Sequence, residues 1–112
     1  MEITTEKKAD GVLVIYLNGR LDAGTAGGLQ QEISQLVQDG EERLLINFEN
    51  LDYISSAGLR VLITTVKLLK SRQGKLVLSS MSSSIFEVLK ISGFTAIFNI
   101  CDTEEQALAA FE

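Results

Sequence analysis

Residues 44–59 read LLINFENLDYISSAGL and predict a buried strand followed closely by a helix. The nearly continuous apolar run Leu44–Phe48 is typical of a strand that is covered on both faces, as in a parallel sheet. The helix begins at about Ala57, and Ser55 or Ser56 stands at its N-cap, where a hydroxyl can accept a hydrogen bond from a first-turn amide. Its apolar residues recur at helical spacing before Gly74, which is expected to take a left-handed cap: Leu59, Leu62, Ile63, Val66 and Leu69.

Short apolar runs and helical periodicity alternate on both sides of this stretch. Further strands are predicted at Val12–Leu17 and Leu76–Leu78, with a weaker one at Ile97–Ile100 and an edge strand at Ile3–Lys7. Strands that alternate with helices through short loops indicate βα units and parallel pairing. We therefore expect an α/β fold: a single domain over residues 1–112, with a mostly parallel sheet of four to five strands, an N-terminal edge strand and about four helices.

Capping residues and glycines mark the ends of the other helices. The predicted boundaries are a first helix over residues 26–37 closed by Gly40, a third from Ser84 to about Gly93 with Glu87 completing a capping box, and a fourth from Asp102 or Thr103 to Phe111.

The composition removes whole classes of catalyst. The chain has no His and one Cys, so imidazole bases, imidazole-activated nucleophiles and His metal ligands are excluded, and Cys101 alone forms neither an internal disulfide nor a thiolate zinc cluster. Fifteen acidic residues against ten basic ones give a net charge of −5, no basic face is evident, and neither nucleic acid nor an anionic membrane is expected as a partner. Without an export signal or a long apolar span, we expect a cytoplasmic protein that needs no cofactor.

The serines before the second helix allow two interpretations. The simpler one is an ordinary N-cap, a position that Ser favours. The functional one is a regulatory phosphoserine, because a phosphate would meet the positive end of the helix dipole and alter the surface seen by a partner. In this interpretation the small residues Ala57 and Gly58 keep the first turn open to another protein's active site.

Other candidate sites in the sequence are weaker. Glu49 and Asp52 follow the strand and could hold a metal or act as an acid/base pair, although solvated loop carboxylates explain them more simply. Gly74 and Lys75 lack the remaining residues of a phosphate-binding P-loop.

The sequence resembles a known family. DYISSAGLR at residues 52–60, preceded by the strand Leu44–Phe48, looks like the signature of the STAS domain and especially of bacterial anti-sigma factor antagonists. Other stretches match the same family pattern: GRLD at residues 19–22 with Thr25, Leu89 with SGF at 92–94, and EEQAL at 104–108. The resemblance extends from about Ile3 to Phe111.

The resemblance implies a non-enzymatic partner switch. The unphosphorylated antagonist binds an anti-sigma factor, a serine kinase of the histidine-kinase-like ATPase fold, and so frees the sigma factor; the kinase then phosphorylates one serine, and a PP2C-type phosphatase reverses the mark. The matched acceptor is Ser56, with Ser55, which stands where many members have Asp, as the second choice. The implied partner-binding residues are Asp22, Thr25, Ser55, Ser56, Ala57, Gly58 and Arg60.

Two further hypotheses remain beside the partner switch. A constitutive STAS interaction subunit of a transport or other signalling complex would use the same fold with Ser56 as a mere cap. A phospho-accepting aspartate domain would need an acidic pair after the first buried strand. Asn18–Asp22 offers no adjacent pair, so this hypothesis is rejected.

Overall fold

The computed structural model describes residues 1–112 and contains a five-stranded sheet in the order β1-β2-β3-β4-β5. Strand β1 pairs antiparallel with β2, and all remaining neighbours pair parallel. The strand bounds are β1 Glu2–Lys7, β2 Leu13–Leu21, β3 Arg43–Ile54, β4 Lys75–Ser79 and β5 Asn99–Cys101. The predicted mixed but mostly parallel sheet with an N-terminal edge strand is confirmed.

Four helices cover the two faces of the sheet unequally. Their bounds are α1 Ala26–Gln38, α2 Ser56–Ser71, α3 Ser83–Ile91 and α4 Glu104–Ala109, with a short 3-10 turn at Ala9–Gly11. Helices α1, α2 and α3 bury their apolar sides against one face, in a core that includes Leu29, Leu62 and Leu89. Helix α4 packs Ala107 on the other face, against Val14, Leu45 and Val77. No helix combines the length and the apolar character that crossing a membrane requires.

Strands β2 and β3 are longer than the apolar runs that predicted them. Strand β3 continues past Phe48 to Ile54, and β2 continues to Leu21. Their pairing shifts register between Tyr16 and Asn18 and again between Gly19 and Arg20, where Gly19 takes a φ of 116°. Pairing resumes beyond these irregularities as far as Leu21 and Ile54, so the ends of both strands, and the loops that follow them, lie at the same edge of the sheet.

Two predicted helix ends are wrong. Helix α3 is capped by Ser82, whose hydroxyl accepts a hydrogen bond from the Ile85 amide, and not by Ser84. After α2 the left-handed residue is Gln73, with φ 60°, rather than Gly74. Gly74 instead lies against the Glu42 carbonyl oxygen, where a Cβ would clash with the backbone. This glycine is required by a tertiary contact and not by the helix end.

Candidate functional site

Ser55 and Ser56 have different roles at the start of α2. Ser55 is the N-cap: its Oγ accepts a hydrogen bond from the Gly58 amide at 3.3 Å, and its carbonyl accepts one from the Leu59 amide at 2.9 Å. Ser56 is the first helical residue, and it is exposed, while Ser55 is half-buried. The Ser56 hydroxyl has no intramolecular hydrogen bond, so it is the serine of this pair that is free to react.

The turn after β2 is fixed by reciprocal hydrogen bonds between Asp22 and Thr25. Asp22 Oδ1 accepts from the amides of Gly24 and Thr25 at 3.0 and 3.2 Å, and the Asp22 amide donates to Thr25 Oγ1 at 2.9 Å. Thr25 Oγ1 in turn donates to the Arg20 carbonyl at 2.8 Å. The Asp22 carboxylate therefore holds the turn in one shape as well as facing solvent.

One backbone hydrogen bond joins this turn to the serines. The Ser55 amide donates to the Leu21 carbonyl at 2.9 Å. Ser56 follows Ser55 and Asp22 follows Leu21, so Ser56 and Asp22 lie side by side at the carboxyl edge of the sheet. The structure thus places the turn Asp22–Thr25 next to the serine pair, as the family resemblance implied.

Gly58 faces the core rather than the solvent, which corrects its expected role. It is buried, and a Cβ at this position would lie 2.7 Å from Leu21 Cγ and 2.9 Å from Ile54 Cγ1. Ala57 is half-buried and packs on the same core. These small residues let α2 approach the ends of β2 and β3 closely. Ser56 is exposed because it lies on the outer side of the first turn of α2, and not because Ala57 and Gly58 are small.

A groove lies beside Ser56, between α2 and the end of α3. Its volume is about 330 Å³, and its lining residues are Ser56, Leu59, Arg60, Ile63, Ser92 and Phe94. Arg60 is exposed and has no ion-pair partner. The sequence reasoning missed Ile63 and Ser92 as site residues. Ile63 follows Ser56 by seven positions, so helical spacing was the available signal; nothing in the sequence placed Ser92 beside them.

A polar network occupies the opposite face of the sheet, beside a cavity of about 690 Å³. Asn47 Nδ2 donates to Glu104 Oε1 at 3.1 Å, and Lys8 Nζ lies 3.8 Å from Glu104 Oε2. Glu49 lines this cavity and Asp52 does not, and no group of carboxylates is arranged to hold a metal ion. The pair Glu49 and Asp52 therefore does not form a joint site.

Tyr16 lines the same cavity and gives a pH-dependent prediction. Partial burial, followed by the interaction with the Glu104 carboxylate, raises the pKa of Tyr16 to about 12. The unfolded chain releases this proton near pH 10. Stability contributed by the protonated phenol is thus complete below about pH 10 and is lost as the pH rises through about 12. Urea titrations should show a steeper loss of the free energy of unfolding across this range in the natural protein than in Tyr16→Phe.

As a control, the phenolate absorbance is titrated against pH in the natural protein and in Tyr16→Phe. The difference between the two titrations isolates Tyr16, and its midpoint should lie near pH 12. A midpoint near 10, the value of a solvated tyrosine, would contradict the network as described.

Comparison with known proteins identifies the family. The sequence model of the STAS domain matches residues 4–107. The chain belongs to the STAS domain family. Over its whole length this STAS domain is 41% identical to BtrV of Bordetella bronchiseptica, a candidate anti-sigma factor antagonist, and it covers 96% of that protein. An anti-sigma F factor antagonist of Paenibacillus polymyxa is 28% identical over 91% of this chain and 88% of its own length.

A solved structure shows the same fold. The Bacillus protein SpoIIAA in its phosphorylated form superimposes with a TM-score of 0.75 at 24% identity, over 99% of this STAS domain and 100% of SpoIIAA. The names of these relatives describe regulatory proteins rather than catalysts.

Proposed function

We propose that this STAS domain is an anti-sigma factor antagonist that is switched by phosphorylation of Ser56. In its unphosphorylated form it binds an anti-sigma factor that is a serine kinase of the histidine-kinase-like ATPase fold, and this frees a sigma factor. Phosphorylation ends the complex, and a PP2C-type phosphatase restores the free hydroxyl. All of these partners act on bacterial transcription, so the proposed location is the cytoplasm. The antagonist names of the two curated relatives support the assignment.

The observation that carries the proposal is the difference between the two serines. A kinase needs a hydroxyl that is accessible and not already engaged, because phosphoryl transfer requires the oxygen to reach the γ-phosphate in line. Ser56 meets this requirement, whereas Ser55 Oγ accepts the Gly58 amide at 3.3 Å. The serine that replaces the family's usual Asp before the acceptor keeps the N-cap function, since Asp and Ser are equivalent caps.

The start of α2 also suits a phosphate electrostatically. A phosphoserine carries a charge of about −1.5 to −2, and the first-turn amides of a helix lack partners within it. The helix dipole places partial positive charge at the same end. The phosphate can therefore be carried without unfolding the domain, while the surface around Asp22, Thr25 and Arg60 changes for a partner.

Phosphorylation by the anti-sigma kinase tests the proposal. Incubation of the purified domain with the kinase and ATP should add one phosphate by intact mass, and Ser56→Ala should abolish the addition. Ser55→Ala is the matched control: loss of the cap costs about 1 kcal/mol, so the domain should stay folded and remain a substrate.

Two results would redirect the proposal. A phosphate that persists in Ser56→Ala and disappears in Ser55→Ala would move the acceptor to Ser55. Stable binding to a partner that does not change with Ser56→Asp would indicate the constitutive interaction subunit instead.

A further inference from the structure

The charges of this acidic protein are strongly segregated along the chain. Residues 55–100 contain six basic side chains and a single acidic one, Glu87, while the rest of the chain contains four basic and fourteen acidic ones. The basic residues of this segment are Arg60, Lys67, Lys70, Arg72, Lys75 and Lys90. The net charge of −5 therefore conceals a positive region, and the expectation that no basic face exists is wrong.

Helix α2 gathers part of this positive charge on its exposed side. Arg60, Lys67 and Lys70 are all exposed, and the helix Ser56–Ser71 contains no acidic residue. The four ion pairs of the structure involve only the cations of Lys7, Lys8 and Arg20. At 1.5 Å per residue, the three α2 cations extend over about 15 Å and begin one turn after Ser56. They form a basic stripe that no residue of the chain neutralises.

An apolar margin runs beside the basic stripe. The groove next to Ser56 is lined by Ile63 and Phe94, and a second one, further along α2, is lined by Val66 and Ile97. Ile97 is 46% exposed. Cations and exposed apolar side chains thus lie along the same side of α2.

We propose that this α2 face, defined as Arg60, Lys67 and Lys70 with the apolar margin Ile63, Phe94 and Ile97, docks an acidic amphipathic segment of the kinase partner. The proposal rests on the proposed function, since it names the chemistry of the partner at that same site. Unpaired cations attract a segment rich in Asp and Glu and raise the rate of encounter, while the apolar margin accepts the segment's apolar side chains.

Charge outside the α2 face favours a short protein segment over a nucleic acid. A duplex is a long polyanion whose binding grows with the number of phosphates neutralised. Three aligned cations neutralise few phosphates, and the fourteen acidic residues outside the segment 55–100 repel the remainder of a duplex. A peptide segment covers only the positive face.

The position of Ser56 at one end of the stripe makes its phosphate a local repulsive charge. Along the helix Ser56 is about 6 Å from Arg60 but about 16 Å from Lys67, and charges are screened over about 8 Å at physiological salt. The phosphate therefore neutralises Arg60 and repels the acidic segment at that end, and it hardly affects Lys67 and Lys70. Effects at Ser56 and Arg60 should be coupled, whereas effects at Ser56 and Lys67 should add.

Charge reversal on the stripe tests the docking face. Association of the purified kinase is measured by stopped flow or biosensor with Lys67→Glu and Lys70→Glu, and with Lys7→Glu as the matched control. Lys7 is exposed on β1, and its reversal changes the net charge equally; it also breaks the Lys7–Glu41 ion pair, so thermal unfolding of this variant is measured first to show that it is folded. Each α2 variant should lower the association rate about three- to tenfold at low salt, less at high salt, and the Lys7 variant should change it less than about twofold.

Several outcomes would overturn the docking face. If Lys67→Glu and Lys7→Glu lowered the association rate equally, the docking face would be overturned, whereas Ser56 phosphorylation and the proposed function would still stand. If the kinase did not phosphorylate Ser56 but the α2 variants still associated more slowly, the proposed switch would be overturned and the docking face would stand. If the domain bound a 20-base-pair duplex and Lys67→Glu abolished that binding, the stripe would be assigned to nucleic acid. If the domain self-associated in light scattering and Lys67→Glu abolished the self-association, the stripe would be assigned to a second copy of the chain. Absence of any complex with the kinase would overturn both proposals.

Discussion

Gly58→Ala is expected to destabilise the domain by about 1–2 kcal/mol, although alanine is the better helix former. Propensity alone would stabilise α2 by about 1 kcal/mol. The new Cβ, however, would lie 2.7 Å from Leu21 Cγ and 2.9 Å from Ile54 Cγ1, both buried. Overpacking of this kind costs typically 1–3 kcal/mol, and three contacts at or below 3.0 Å place it at the upper end. The steric cost is therefore larger than the gain.

Helix α1 offers a matched control for Gly58. Gly28 is the third residue of α1, as Gly58 is the third of α2, and a Cβ on Gly28 meets nothing within 4 Å. Gly28→Ala should therefore stabilise the domain by about 0.5–1 kcal/mol. Urea denaturation of both variants measures the contrast in sign. Equal stabilisation by the two would show that α2 does not approach the strand ends as closely as described.

The packing at Gly58 also affects the site. To relieve the contacts, α2 must move away from Leu21 or rotate, and its first turn carries Ser56. We expect Gly58→Ala to reduce phosphorylation of Ser56 under conditions in which the variant is still folded. Circular dichroism before the assay separates this displacement from unfolding.

Ser56→Asp is expected to weaken kinase binding at least about tenfold, a loss of about 1.4 kcal/mol or more. The carboxylate places a negative charge where the proposed complex needs a neutral hydroxyl, and like charges across an interface cost several kcal/mol. The fold should not suffer, because an acidic residue in the first turn of a helix is typically stabilising by about 0.3–1 kcal/mol. Calorimetric titration with the kinase and thermal unfolding measure the two effects separately.

Helix α3 provides the control for Ser56→Asp. Ser83 is the first residue of α3, is exposed, and follows an N-cap serine, as Ser56 does in α2. Ser83→Asp should give the same small stabilisation and leave kinase affinity unchanged. Equal weakening by both variants would attribute the effect to net charge and remove Ser56 from the interface.

The order and type of the elements could be predicted because they depend on local patterns. The apolar runs at Val12–Leu17 and Leu44–Phe48 are too continuous for a strand with one solvated face, and they do form the buried parallel strands β2 and β3. The start of α4 at Asp102 or Thr103 was predicted for the same reason, and the structure uses Thr103, whose hydroxyl accepts a hydrogen bond from the Gln106 amide three residues later. Such contacts lie within one turn of chain.

The predictions failed where residues distant in sequence compete. Gly74 looked like a helix cap, but its lack of a side chain is needed against the Glu42 carbonyl, and Gln73 takes the left-handed conformation. Ser84 with Glu87 looked like the capping box of α3, but the structure uses Ser82, the first of three consecutive serines, as the cap. Strand β3 extends through Asp52 and Tyr53 because β2 continues beside it, which the polar sequence there does not indicate.

The α/β class, the place of the serine pair before α2 and the family resemblance could all be predicted from the sequence, because each depends on patterns among residues near one another in the chain. The requirement for Gly58 and the position of Asp22 beside Ser56 became visible only when distant parts of the chain were packed together. The requirement for Gly58 comes from its contacts with Leu21 and Ile54, and the place of Asp22 follows from the hydrogen bond that the Ser55 amide donates to the Leu21 carbonyl. Leu21 and Ser55 are more than thirty positions apart, and their contact depends on how β2 and β3 pair, including the two register shifts between them, which neither strand's own sequence shows.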